Sequence, residues 1–304
     1  DRFVGMLGGG HQYLNWKPNQ KSSDYFDPIS DDDGTLPAAH QTYLTDLLSS
    51  HAVQFVQRAD ERPFFLMLAY NAPHTPLQAT QNYLDRFPGL KGKRKTYAAM
   101  ISAMDDGIGR VLNALTQTGQ SSETLVVFFS DNGGPTGANA SNNAPLRGGK
   151  STVLEGGVRV PFVVRYPAKL PSGTRYEYPV STLDLLPTAL AAAGVDVKGQ
   201  PAVEGVDLTP FLSGQSTGRP HQTLHWRHRN GFHAVRHLDW KWIRSPGGAE
   251  QLYDLRSDVG ESNDMSASHA DVASQIRKRY EQWNRHNAAR IPWHRQNPYS
   301  IDYR

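Results

Sequence analysis

Two oxygen-bearing side chains, Asp131 and Asn132, stand side by side where an apolar, β-preferring run stops in "TLVVFFSDNGG" (124–134). One is an anion and the other a neutral amide, the donor types that hard cations such as Ca2+ and Mg2+ take. Two donors fall short of the roughly six to eight oxygens of a Ca2+ shell. The same Asp-Asn-Gly-Gly string is also ordinary turn chemistry, because Asx side chains bond their own backbone. Lys150 lies between Gly149 and Ser151 in "LRGGKSTVLEGGVRVP" (146–161). Glycines there allow close backbone approach and an ammonium suits an anionic ligand, with a solvated loop lysine as the alternative. His74 sits among prolines in "NAPHTP", directly after another apolar run.

The apolar runs are what must hold these groups. "RPFFLMLAYNAPH" (62–74), "TLVVFFS" (124–130) and "VRVPFVVRYP" (158–167) are short and continuously apolar, as strands buried on both faces are. Between them the spacing predicts helices over 36–59 and 95–119, the second closed by Gly119, and a further helix over 181–194. Strands alternating with helices predict an α/β fold with a doubly wound, mostly parallel sheet. Ligands of such sheets sit outside the carboxyl ends of the strands, where His74, Asp131 and Asn132 fall.

The pattern changes after the Gly/Ser/Pro-rich "FLSGQSTGRP" (211–220). "HAVRH", "WKWIRS" and "QLYDL" then read as an antiparallel meander, and 270–289 as a closing helix. The expected organisation is a main α/β domain over 1–215 and a smaller α+β subdomain over 221–304. His225, in "LHWRHR" (224–229), could face a sugar or simply alternate along a strand. Asp105 and Asp106 read as helix-surface acids, and "DDDG" (31–34) as a solvated turn without the alternating acids of an EF-hand.

The 304 residues carry a formal net charge of +3, with no long basic block of the kind that grips nucleic acid. There is no cysteine, which excludes disulfides. No apolar run reaches the roughly 20 residues of a membrane span.

Taken in order, "DRFVGMLGGG" (1–10), "FFLMLAYNAPHTP" (64–76), "YAAMISAMDDGIGRVL" (97–112), "VVFFSDNGG" (126–134), "LRGGKSTVLEGGVRVP" (146–161), "LDLLPTALAAAG" (183–194) and "QLYDLRSDVGESND" (251–264) resemble the formylglycine-dependent sulfatases of the alkaline phosphatase superfamily. The resemblance implies an alkaline-phosphatase-like sheet and a sulfuric ester hydrolase assisted by Ca2+. Asp131 and Asn132 would then be metal ligands. Lys150, His74 and Asp131 would be catalytic, and His74, Lys150, Arg147 and His225 would face the substrate. A structural ion pair is the alternative for Arg147. The partner implied is a sulfated small molecule or glycan, and the compartment periplasmic or secreted. The family's formylglycine motif, C/S-x-P/A-x-R, and its early Asp-Asp pair do not occur here. Asp1 falls inside a family motif, so these parts are expected upstream. A phosphodiester or phosphonate hydrolase of the same superfamily, and a non-catalytic sulfatase-like binding protein, are the competing readings.

Overall fold

The computed structural model describes residues 3–6, 11–14, 30–31, 34–35, 42–58, 62–196, 203–228 and 230–287. Asp1, residues 7–10 and the Asp32 and Asp33 of "DDDG" lie outside them, as do the last residues of the expected closing helix. Three two-residue strands, β1 (Val4–Gly5), β2 (Ser30–Asp31) and β3 (Gly34–Thr35), pair antiparallel. α1 (Leu44–Arg58), α2 (Gln81–Leu84) and α3 (Gly92–Gln117) follow.

α1 buries Leu44, Leu47, Leu48, Ala52 and Val56, a stripe at helical spacing, against Ala99, Met100, Ala103, Ala114 and Leu115 of α3. Gly107 lets the helices close, since a Cβ there would fall 2.2 Å from Ser49 Oγ. Tyr13, Tyr43 and Tyr83 extend this core, and burial pushes the Tyr43 phenol up to about 12. α3 ends as its sequence dictates, with Gly119 at a φ of +73°.

β4 (Val126–Phe129) pairs antiparallel with β5 (Phe162–Arg165), flanking α4 (Thr136–Asn139) and α5 (Glu155–Val158). The expected helix over 181–194 opens as a 3-10 turn, Thr182–Asp184, and continues as α6 (Leu185–Ala192). A capping box fixes the switch: Ser181 N–H donates to Asp184 Oδ2, and Leu183 N–H donates to Ser181 Oγ. α7 (Thr209–Leu212) closes this half.

The α/β class is observed, but the strand expected over 64–70 is extended chain outside any ladder. Phe64 and Leu66 pack towards Val56, Leu115 and Val126, whereas Phe65 and Met67 are 79% and 76% exposed. The segment therefore shows the period of two of extended chain with one face covered, not both. All strand pairs among the described residues are antiparallel, so the parallel pairing expected from the alternating elements is not among them.

The C-terminal meander is as expected, with one more strand: β6 (Thr223–Arg227), β7 (His233–His237), β8 (Trp240–Arg244) and β9 (Glu250–Asp254) in sequential order. α8 (Ala270–Arg285) covers one face through Ala273, Ile276 and Tyr280 on Val235, Trp242 and Leu252. The opposite face, with Ala234, Ile243 and Tyr253, packs on Val153 from the glycine-rich loop. This second face holds the loop that carries Lys150.

Candidate active site

Past β4 the chain turns on its own polar groups: Ser130 Oγ donates to Asn132 O, and Asn132 Nδ2 donates to Gly133 O. Gly133 N–H then donates to Gly157 O, joining this turn to the loop 147–157. The two pass so closely that a Cβ on Gly133 would lie 1.7 Å from Gly156 O. Glycine is obligatory there because of that approach, not because of a special φ.

Asn143 ties the same two segments. Its Oδ1 accepts from Gly134 N–H, and its Nδ2 donates to Gly134 O and Gly148 O. The sequence reading missed this residue. Its only signal was a short amide-rich stretch, "ASNNAP", beside two glycine-rich motifs.

The loop brings Lys150 to His74: Lys150 Nζ lies 3.2 Å from His74 Nε2. His74 Nδ1 lies 2.7 Å from Thr75 O, and a carbonyl only accepts, so Nδ1 carries the proton. Nε2 is left to accept from the Lys150 ammonium. His74 is held from below by Tyr13, whose buried hydroxyl donates to Asn71 O and His74 O. Burial holds that phenol far above its ordinary value, so it stays a donor.

Arg147 is exposed but already engaged. Its Nη1 donates to Tyr253 Oη at 3.2 Å and to Glu261 O. His225 faces α8, its ring stacked on Trp283 at 4.8 Å and 5°. That is the sheet face opposite the one packing on Val153, so His225 is not brought to the Lys150–His74 pair by its strand. Burial, and then the neighbouring His237, pull its imidazole below the ordinary value. Asp106, one of the helix acids, is paired with Arg86 at 2.7 Å on the surface.

Asp131 and Asn132 offer one carboxylate and one amide oxygen at the end of β4, with Asn132 Nδ2 turned to Gly133 O. Their chemistry fits part of a hard-cation shell. Among the described residues no group of three or more His, Cys, Asp or Glu is placed to hold a metal.

The chain is similar to known proteins. The family model described as Sulfatase matches residues 3–195, and that described as N-sulphoglucosamine sulphohydrolase, C-terminal, matches 149–286. Uncharacterized sulfatase YdeN of Escherichia coli (strain K12) is 32% identical over 230 residues, covering 74% of this chain and 39% of that protein. N-acetylgalactosamine-6-sulfatase of Mus musculus is 33% identical over 214 residues, covering 66% and 39%. The chain thus spans well under two thirds of these relatives. The crystal structure of Ps i-CgsB in complex with k-i-k-neocarrahexaose superposes with a TM-score of 0.89 at 34% identity, over 97% of this chain and 69% of that one. The α/β fold is the alkaline-phosphatase-like one of these neighbours.

Proposed function

This chain belongs to the sulfatase family, and we propose that the protein hydrolyses sulfate esters of a sulfated galactan, with Lys150 and His74 at the sulfate. The observation that carries the reading is the Lys150–His74 pair at 3.2 Å, two nitrogen groups converging from segments 76 residues apart. The galactan is suggested by the neocarrahexaose complex, which the chain resembles over nearly its whole length.

Formylglycine would supply the oxygen nucleophile, and Ca2+ held by Asp131 and Asn132 would draw charge from the sulfate oxygens. The residues of this chain do the rest. Lys150 donates to a sulfate oxygen, where an ammonium strengthens its contact as charge grows. His74 Nε2 faces the same point and, once protonated, hands its proton to the bridging oxygen as the S–O bond breaks. The alcohol leaves neutral, and the incoming oxygen nucleophile would take its place on sulfur, so that sulfate is the second product. Arg147 keeps Nη2 and Nε for a second contact to substrate, because only Nη1 is committed to Tyr253 and Glu261. A polymeric galactan does not cross a bilayer, which supports a periplasmic or secreted location.

The test is sulfate release from sulfated galactan oligosaccharides by the complete protein, followed by ion chromatography. Wild type should release sulfate with Ca2+ present and His74→Ala should not. Release from a phosphodiester and none from any sulfated galactan would replace this reading with the phosphodiesterase one.

A further inference from the structure

The buried charges lie behind the loop of Lys150, not in front of it. Lys241, on β8, is fully buried. Its Nζ donates to Glu155 Oε1 at 2.8 Å and forms an ion pair with Glu261 Oε1 at 3.0 Å, and both carboxylates are buried too. Glu261 Oε2 accepts from the Glu155 N–H at 2.8 Å, so the second acid holds the first by its backbone as well. Arg236 and Arg159 stand 3.8 Å from Glu155 Oε2, and the Trp226 ring lies under Lys241.

This cluster grips a loop at both stems. The loop closes on itself where Gly156 N–H donates to Arg147 O at 2.7 Å. One stem, Arg147, is tied to Tyr253 Oη and Glu261 O. The other, Glu155, is tied to Lys241 and Glu261. Glu261 serves both stems from a left-handed backbone conformation, φ +52°, that a non-glycine residue adopts only when its surroundings impose it. Between the stems Gly149 O accepts from Thr152 N–H and Oγ1, and Lys150 projects to His74.

We propose that Lys241 is a positioning residue: with Glu155 and Glu261 it fixes the loop 147–157 on the C-terminal sheet and so sets where Lys150 meets the anion. A flexible lysine on an unanchored glycine-rich loop would find its partner only part of the time. A buried ion pair seldom adds stability over an apolar replacement, so its use here is to hold one geometry. The catalytic consequence rests on the sulfatase reading; the loop geometry does not.

The experiment compares Lys241→Met, Lys241→Arg and the double variant Lys241→Met, Glu155→Gln in the complete protein. It reads kcat and KM on sulfated galactan oligosaccharides and hydrogen exchange of peptides covering 147–157 and, as control, α1 and α3. Lys241→Met leaves unpaired buried carboxylates; the double variant removes one of them and keeps the comparison usable should the single variant not fold. We expect faster exchange in 147–157 with α1 and α3 unchanged, and kcat lower by roughly 10- to 100-fold with KM changed much less. Lys241→Arg should restore part of both. Unchanged protection of 147–157 in the variants overturns the proposal, whether or not wild type cleaves sulfate. A loosened loop with wild-type kcat overturns the link to Lys150. If wild type shows no hydrolysis, the sulfatase reading fails while the exchange data still decide the anchor.

Discussion

The Lys150 ammonium donates to His74 Nε2 across 3.2 Å, and Nδ1 of the same ring donates to Thr75 O at 2.7 Å. One ring therefore faces the cation with a lone pair and is oriented from behind by its own backbone. An anion arriving between the two nitrogens meets a donor on one side and a ring that can take up a proton on the other.

Lys150→Ala should lower kcat in the complete enzyme on the order of 10²–10³-fold, with a smaller rise in KM. Removing one electrostatic contact made mainly in the transition state has that effect. Steady-state kinetics on a sulfated oligosaccharide check it, and an unchanged kcat would return Lys150 to the status of a solvated loop residue.

Asn143→Ala should destabilise the protein by about 1–3 kcal/mol, since three hydrogen bonds between two loops are lost and the half-buried Gly134 carbonyl loses this donor. Urea unfolding at neutral pH measures it. A cost near zero would show that the loops are held elsewhere.

Gly133→Ala should be worse than a loop substitution usually is. The added methyl would meet backbone at 1.7 Å, which no side-chain rotation relieves. A loss of roughly 1–3 kcal/mol or more is expected, with Gly137→Ala, whose Cβ meets nothing within 4 Å, as the tolerated control. Equal melting temperatures for the two variants would contradict the close approach.

His225 gives a pH signature. Burial lowers its folded-state value below the 6.5 of the unfolded chain. On acidification the unfolded state takes up a proton before the folded state does, so this stability is present above about pH 6.5 and lost as pH falls. His225→Phe, which keeps a ring on Trp283, should flatten the fall in melting temperature between about pH 7 and 5. His237, also lowered by burial, leaves a residual slope. An identical slope in the variant would mean that the ring is solvated.

Periodic elements were readable from the sequence. The helix expected over 95–119 is α3, the runs at 124–130 and 158–167 hold β4 and β5, and the meander and closing helix are β7, β8, β9 and α8. Each carries its own pattern in adjacent residues. The run 62–74 was misread because continuous apolarity states only that both faces are hydrophobic; whether both are covered depends on what packs there. The pairing of Lys150 with His74 was implied by the resemblance, while the anchor behind it was not seen. Lys241 lies between two tryptophans in "WKWIR" and looks like the polar phase of an alternating strand. Ile243 on the same phase was the signal that this face is also core. Glu155 and Glu261 are 106 residues apart, and no local pattern links them.

The uncovered side chains of residues 64–70 bear on how this chain behaves in a tube. Phe65 and Met67 stand out from extended backbone outside any ladder, and Val163 on β5 is 58% exposed. Extended backbone outside a ladder, carrying exposed apolar side chains, is a template for another strand. Handled alone at high concentration, the 304-residue chain should self-associate and bind hydrophobic dyes such as ANS. Phe65→Lys and Met67→Glu would be the substitutions that keep it dispersed, because they place charge on the open edge without touching Phe64 or Leu66.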